Sequence, residues 1–431
     1  MLFLGANMIA NQWLQIPEAE MTLVALSPAI FFVAIASVMR GYFNGRQNIK
    51  ATARSQTIEQ VFKTALTIIL VEIVAIISNV STEWMAGGAT LATTLATMSG
   101  FGYLYLYYKT RRKEIATEIK STVNYKYERV RTIIKKILLV SIPIALTAIM
   151  SSLNKNIDSF TVVRSLKQFM PEDMAIAQYG ILGGKVDTLT SLPLSINVAF
   201  STALVPAISA AKARKDKKTI TEKTSFSLLT SMLIGLPCTI GMCIFAGPIL
   251  NLLFPNASDG TVILQISSLT ILFTILDQTI NGALQGYGKL KIPTISLGVG
   301  VIVKLILNLI LVPIPEIGIN GAAWASVACH AVAFTIAITS LMKNIKLNLT
   351  FSKFVIKPAI ATAIMGICSY FIYSNLLGII SSKLATIVAI ALAVVIYVLA
   401  VIVLKIFNKE EILKMPMGEK IYKMLEKLKI Y

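Results

Sequence analysis

Histidine occurs once in the 431 residues and cysteine four times, and acidic side chains are outnumbered 21 to 40 by lysine and arginine. Cys238, Cys243, Cys329 and Cys368 all lie in apolar runs without metal-type spacing, so neither disulfides nor zinc is expected. No GxxxxGK(S/T) phosphate loop, HExxH or GxSxG is present, which removes the usual signatures of ATP-driven, zinc-hydrolase and serine-hydrolase chemistry. The single histidine, His330, sits among small apolar residues in VACHAVAF and reads as a core side chain. A membrane enzyme such as a glycan polymerase or acyltransferase would need a polar loop bearing catalytic carboxylates or histidine. None is evident, so no enzymatic activity and no cofactor are expected.

Apolar sequence, by contrast, is abundant. The chain is 55% hydrophobic and only 14% charged, with a mean hydropathy of +0.74. A soluble chain of this size could not cover such a core with polar surface, so a polytopic helical membrane protein is expected. Segments long enough to span a bilayer lie near 23–43, 56–77, 86–108, 133–153, 177–208, 224–254, 262–287, 292–312, 319–343, 354–377 and 382–407, eleven in all. Residues 1–10 are apolar but reach only about 15 Å, half a span. No basic segment precedes them, so a signal peptide is not expected. Pro143, Pro193, Pro206, Pro237 and Pro248 mark expected kinks.

The net charge of +19 suggests nucleic acid only until the charges are placed. Basic residues concentrate in alternate connections: 40–54, 109–136, 212–223, 289–291, 343–357 and the tail from Lys405 hold 33 of the 40. The intervening connections are sparse and mostly acidic. The positive-inside rule therefore puts the basic loops and both termini in the cytoplasm, facing anionic lipid, with no nucleic-acid partner. A multi-pass protein of the cytoplasmic membrane is expected.

The segment Arg40 to Val71 recurs at Asn281 to Val312. At a constant offset of 241, nine of 32 pairs are identical, including Gly41/Gly282, Gly45/Gly286, Lys50/Lys291, Ser55/Ser296 and Lys63/Lys304. Chance alone would match roughly three. The copies open the second and eighth spans, an even separation, so they predict two parallel helical lobes related by an axis along the membrane normal. The all-α fold then divides into 1–108, an incomplete first lobe of a half-span plus three helices; 109–132, a basic amphipathic linker; 133–343, a complete six-helix lobe; and 344–431, two further helices with a basic tail. Counting back from the repeat leaves the first lobe two and a half helices short, so an N-terminally truncated chain, unable to transport by itself, is expected.

Ionisable residues inside spans are costly and usually face a cavity or a partner. Asn154, Lys155 and Asp158 share one span, with 154 and 158 on one face and 155 and 158 at i,i+3. Asp277, Gln278 and Asn281 lie just before the second repeat copy. Lys304 and Asn308 share a face, as do Glu59 and Lys63 in the counterpart helix. Lys155, Lys185 and Lys304 are expected to converge on a central cavity beside Asp158 and Asp277. Such a basic cavity, with Lys63 and Arg40, suits a phosphate-bearing ligand. The carboxylates and amides, Asp187 and Glu59 included, could alternatively hold Na⁺ or a proton as the coupling ion. Both Gly-x-x-x-Gly pairs read as tight, packed helix ends.

RGYFNGRQNIKATARSQTIEQ (40–60), LNKNIDSFTV (153–162), LPLSINVAFSTALVPAIS (192–209) and LQGYGKLKIPT (284–294) resemble the stage V sporulation protein B group of polysaccharide-biosynthesis proteins. The group belongs to the multidrug/oligosaccharidyl-lipid/polysaccharide flippase superfamily. The resemblance implies two six-helix lobes around a central cavity, commonly with two extra C-terminal helices. It also implies export of a lipid-linked oligosaccharide or peptidoglycan precursor on a polyprenyl pyrophosphate, driven by an ion gradient or membrane potential, in contact with membrane lipids and cell-wall synthesis proteins. Related flippases keep an arginine shortly before the Leu192–Pro193 pair, where this chain has Thr188, preceded by Asp187 and Lys185. Some relatives bind Na⁺ through paired polar residues where Lys304 stands beside Asn308, and the lysine ammonium is placed to replace the ion. A cation-coupled drug exporter of the same fold and an inactive truncated scaffold are the alternatives.

Overall fold

The computed structural model describes residues 2–13, 19–46, 48–77, 82–121, 128–255, 257–348 and 350–413, together with 418, 419, 422 and 426. The described residues are helical throughout, without strands. They fall into two compact units, Met1–Glu128 and Arg129–Tyr431.

In the first unit, α1 (Leu2–Met8) continues as a π-helical turn through Trp13, and α2 (Ala19–Gly45), α3 (Ile49–Ile77) and α4 (Thr82–Ser121) follow. α4 packs against both α2 and α3. Its core near the basic ends is Ala36, Phe43, Ala51 and Leu104, with Tyr103 and Tyr107 laid against it. The expected linker begins differently. From Tyr103 to Glu128 the sequence holds no Gly or Pro and many good helix formers, so residues 109–121 simply prolong α4. Residues 122–127 of that linker lie outside the described residues, as does most of the basic tail beyond 413.

The second unit runs α5 (Val130–Leu166), α6 (Glu172–Gly180), a π-helical turn (Ile181–Val186), α7 (Asp187–Ala213), α8 (Lys217–Ile244), α9 (Ala246–Leu253), α10 (Thr261–Gly286), α11 (Lys291–Leu311) and α12 (Ile319–Asn344). A π-helical turn at Ser352–Ile356 leads into α13 (Lys357–Leu376), and α14 (Ser382–Val403) and the short α15 (Lys409–Leu413) complete it. α10 is the axis of this unit. It packs on α7, α8 and α12, while α11 lies between α5 and α12.

Glycines set the closest approaches. A Cβ on Gly282 would stand 2.6 Å from the Ser201 carbonyl oxygen, and one on Gly286 would stand 2.7 Å from that of Val205. The second Gly-x-x-x-Gly is therefore a backbone contact between α10 and α7. Its counterpart is not: Gly41 and Gly45 have open space where a Cβ would go, which corrects the expectation that both pairs are packed. Gly300 brings α11 equally close to α12, 2.6 Å from the Cys329 carbonyl oxygen.

Each of the eleven expected spans is mostly helical, 177–208 running through α6, a π-helical turn and α7, but nine helices among the described residues are long and apolar enough to cross a membrane. α3 and α4, at 29 and 40 residues, are long enough and are not among the nine. Glu59, Lys63 and Glu72 interrupt the apolar run of α3, and α4 is rich in Thr, Ser and Gly. The expected 224–254 span also breaks at Phe245 between α8 and α9. Pro248, in the first turn of α9, has no N–H with which to continue the ladder of α8. Pro143, Pro193, Pro206 and Pro237 lie inside helices, as expected.

Candidate functional site

Helical periodicity places Asn154, Asp158 and Thr161 along one stripe of α5, and Lys304 and Asn308 along one stripe of α11. Packing of α5 on α11 joins the two stripes. Lys304 Nζ donates to Asp158 Oδ2 at 2.7 Å and to the Asn154 carbonyl oxygen at 2.9 Å. Asn308 Nδ2 donates to Asp158 Oδ1 at 2.9 Å and to Thr161 Oγ1 at 3.0 Å. Both carboxylate oxygens are thus engaged, and the pair is dry: Lys304 is 3% exposed and Asp158 6%.

α12 closes the cluster because Gly300 lets it approach. Cys329 Sγ contacts Asn154 Oδ1 at 3.4 Å, and His330 Nε2 lies 3.4 Å from Asn154 Nδ2. Among the described residues, Asn308 Oδ1 and His330 Nδ1 here are buried and find no partner. Buried polar atoms are nearly always satisfied, so these two stand out where α5, α11 and α12 meet. His330 is therefore part of the cluster as well as of the core.

The lysines do not all converge. Lys304 is buried in the pair, but Lys155, one residue from Asn154, is turned about 100° around α5 and is exposed. Lys185 lies in the π-helical turn, donates to the Ala257 carbonyl oxygen at 2.5 Å and sits 5.4 Å from the Phe254 ring. It closes the loop after α9, which corrects its expected place in a cavity with Lys304. Asp187 is exposed, yet within electrostatic reach of Asp158, Lys304 and Lys155.

Asp277 makes its hydrogen bond within α10: Asn281 Nδ2 donates to Asp277 Oδ2 at 2.8 Å, while Asp277 Oδ1 is buried and finds no partner among the described residues. Gln278 belongs to a different network, accepting from Asn197 Nδ2 at 3.1 Å. Asn197 is fully buried and also bonds Ser231 and Thr279, tying α7, α8 and α10 together. Sequence reasoning passed over Asn197. Its only signal is a lone amide in the apolar run LPLSINVAF, with no ionisable residue one turn away to mark it.

In the first unit, Arg40 Nη2 donates to Glu59 Oε2 at 2.5 Å and to Ser55 Oγ at 3.1 Å. Ser55 Oγ donates on to the Gly100 carbonyl oxygen at 3.1 Å, so the group links α2, α3 and α4. Glu59 is thus held by Arg40. Lys63 is exposed and, among the described residues, has no ion pair, unlike its repeat counterpart Lys304.

A family model described as lipid II flippase MurJ matches residues 23–389. The chain is 25% identical over 399 residues to stage V sporulation protein B of Bacillus subtilis, covering 91% of this chain and 75% of that one. It is 25% identical over 332 residues to the lipid II flippase MurJ of the same organism, covering 73% of this chain and 60% of that protein's length. Among solved structures, lipid II flippase MurJ in an inward closed conformation shares the fold, with a TM-score of 0.61 at 16% identity over 90% of this chain and 74% of that one. An inward-facing multidrug resistance MATE transporter of the MOP superfamily aligns with a TM-score of 0.56 at 16% identity, covering 77% and 73%. The match over most of the chain and the shared helical fold have one meaning: the chain belongs to the lipid II flippase MurJ family.

Proposed function

We propose that this multi-pass membrane protein moves a polyprenyl-pyrophosphate-linked glycan, a peptidoglycan precursor or related oligosaccharide, across the cytoplasmic membrane, and that the Lys304–Asp158 pair couples this movement to protons. Family membership supports the flippase reading over drug export. The observation that carries the coupling is the buried pair itself, with Nζ 2.7 Å from Asp158 Oδ2 and two unsatisfied polar atoms beside it.

A carboxylate, a backbone carbonyl and two amides would suit a sodium ion if the space between them were open. Here the lysine ammonium fills it, so these residues do not fit Na⁺ while Lys304 is charged. A proton can act instead. Protonating Asp158 removes the charge that holds Lys304 and frees α11 to shift against α5, because a buried ion loses most of its stabilisation with its partner. Substrate phosphates could then compete for the released cation, with exposed Lys155 one turn before Asp158 on α5.

The alternating loop charges support an orientation in which the basic connections and both termini face the cytoplasm. In that orientation, cell-wall synthesis proteins are the partners that would make and use the cargo. The test is outward movement of the lipid-linked precursor in cells depleted of their own flippase. Wild-type protein should restore movement, against the expectation from the repeat count that this chain cannot transport by itself, and Asp158→Asn should not, at equal amounts of folded protein. Equal rescue by the variant would remove the pair from the mechanism.

A further inference from the structure

A cavity of about 300 Å³ opens in the first unit where the turn after α2 meets α4. Its floor is Ala51, 1% exposed, and its wall is Tyr103 and Tyr107, stacked with ring centroids 6.0 Å apart and planes 25° apart. Asn48 Nδ2 donates to Tyr107 Oη at 3.0 Å, which fixes the wall against the turn. The rim is three cations, Lys50, Arg54 and Arg111, and among the described residues no acidic side chain lines the cavity.

The charges are unequally satisfied. Arg111 lies 5.2 Å over the Tyr107 ring and has Glu114 at 3.8 Å. Nearby Arg46 is held by Glu118 and Tyr42. Among the described residues, Lys50 and Arg54 have neither an ion pair nor a hydrogen bond. They stand at i,i+4 on one face of α3, so their heads reach the same mouth.

The internal repeat provides a control for what the fold requires. Lys50 corresponds to Lys291, but Arg54 corresponds to Ile295, which is itself 57% exposed, and Asn48 corresponds to Lys289. The same helix start therefore forms without a cation at Arg54's position or an amide at Asn48's. The repeat does not require Arg54 or Asn48, and both line the cavity.

We propose that this pocket is a binding site for a phosphate-bearing group. A planar guanidinium at Arg54 presents a fork to two phosphate oxygens, Lys50 adds a point charge, and Arg111 is braced on Tyr107 for a third contact. The phosphate could belong to a phospholipid headgroup or to a soluble phosphate or pyrophosphate, and the chemistry of recognition is the same.

Binding is measured on the purified full chain in zwitterionic nanodiscs by titration with inorganic pyrophosphate. In parallel, retention of phosphatidylglycerol against phosphatidylcholine is measured by native mass spectrometry. Lys50→Gln with Arg54→Ile should weaken at least one probe about twentyfold, given about fivefold for each cation near a charged surface. Lys343→Gln with Lys346→Gln, the same charge removed elsewhere, should change both by less than about twofold. Loss confined to pyrophosphate identifies a soluble ligand, and loss confined to phosphatidylglycerol a lipid headgroup. Binding of neither probe by the wild type, or equal binding by wild type and double variant, overturns the proposal. Should the double variant fail to fold, Arg54→Gln alone takes its place against the same outcomes.

Discussion

Lys304 and Asp158 face each other across the α5–α11 contact, 146 residues apart in sequence and 2.7 Å apart in space. Each is almost sealed from its surroundings, with side chains 4% and 9% exposed. Removing one partner leaves the other charge buried and alone, which costs about 3–5 kcal/mol, whereas replacing both with apolar groups costs far less. Lys304→Met and Asp158→Asn should each lower the thermal unfolding midpoint in detergent. Lys304→Met combined with Asp158→Leu should recover most of the loss while remaining inactive. Additive losses in the double variant would show that the pair is not a unit.

Glycine substitutions should separate the two repeat copies. A methyl at Gly282 meets the Ser201 carbonyl oxygen and one at Gly286 meets that of Val205, so alanine at either forces α10 away from α7 at about 1–3 kcal/mol. Alanine at Gly41 meets nothing within 4 Å and lies inside α2. There it should be neutral or stabilising by about 0.5–1 kcal/mol. Thermal midpoints of the three single variants check this, and equal destabilisation at Gly41 would contradict the difference in packing.

Asp216 caps α8, accepting from the Thr219 hydroxyl at 2.6 Å and the Thr219 backbone N–H at 3.0 Å. The Thr219 side-chain bond, then the backbone bonds, hold its carboxyl below the ordinary carboxylate range. A depressed folded value contributes stability above the unfolded value, about 3.9, and that contribution is lost as pH falls through the folded one. Asp216→Ala should therefore be less stable than wild type at pH 7, and the gap should narrow below about pH 4. A gap constant down to pH 2.5, followed by thermal melts, would assign the cap's effect to something other than the charge.

Much of this was legible because membrane helices obey strong rules. Apolar runs located the helices, and the i,i+4 spacing of Asn154 with Asp158 and of Lys304 with Asn308 put four of the site residues on two facing stripes. Which cations would pair was not legible, because helical phase alone cannot say which neighbour a stripe meets. Lys155 differs from Asn154 by one residue and looks out, while Lys185 is drawn off by a carbonyl released in the loop at Ala257. Arg40 had the look of a loop residue at a helix end, yet it folds back onto Glu59. Asn197 carries no charge, and a neutral amide at the crossing of three helices leaves little trace in hydropathy.

The coupling role of Lys304 is tested most directly by flipping of a polyprenyl-pyrophosphate-linked glycan in proteoliposomes under an imposed pH gradient, with Na⁺ present or replaced by choline. Transport should follow the pH gradient and be indifferent to Na⁺, and Lys304→Ala should slow it at least about tenfold, equivalent to about 1.4 kcal/mol, when compared at equal amounts of folded protein. Transport that requires Na⁺, or a Lys304→Ala protein that flips at the wild-type rate, would contradict it.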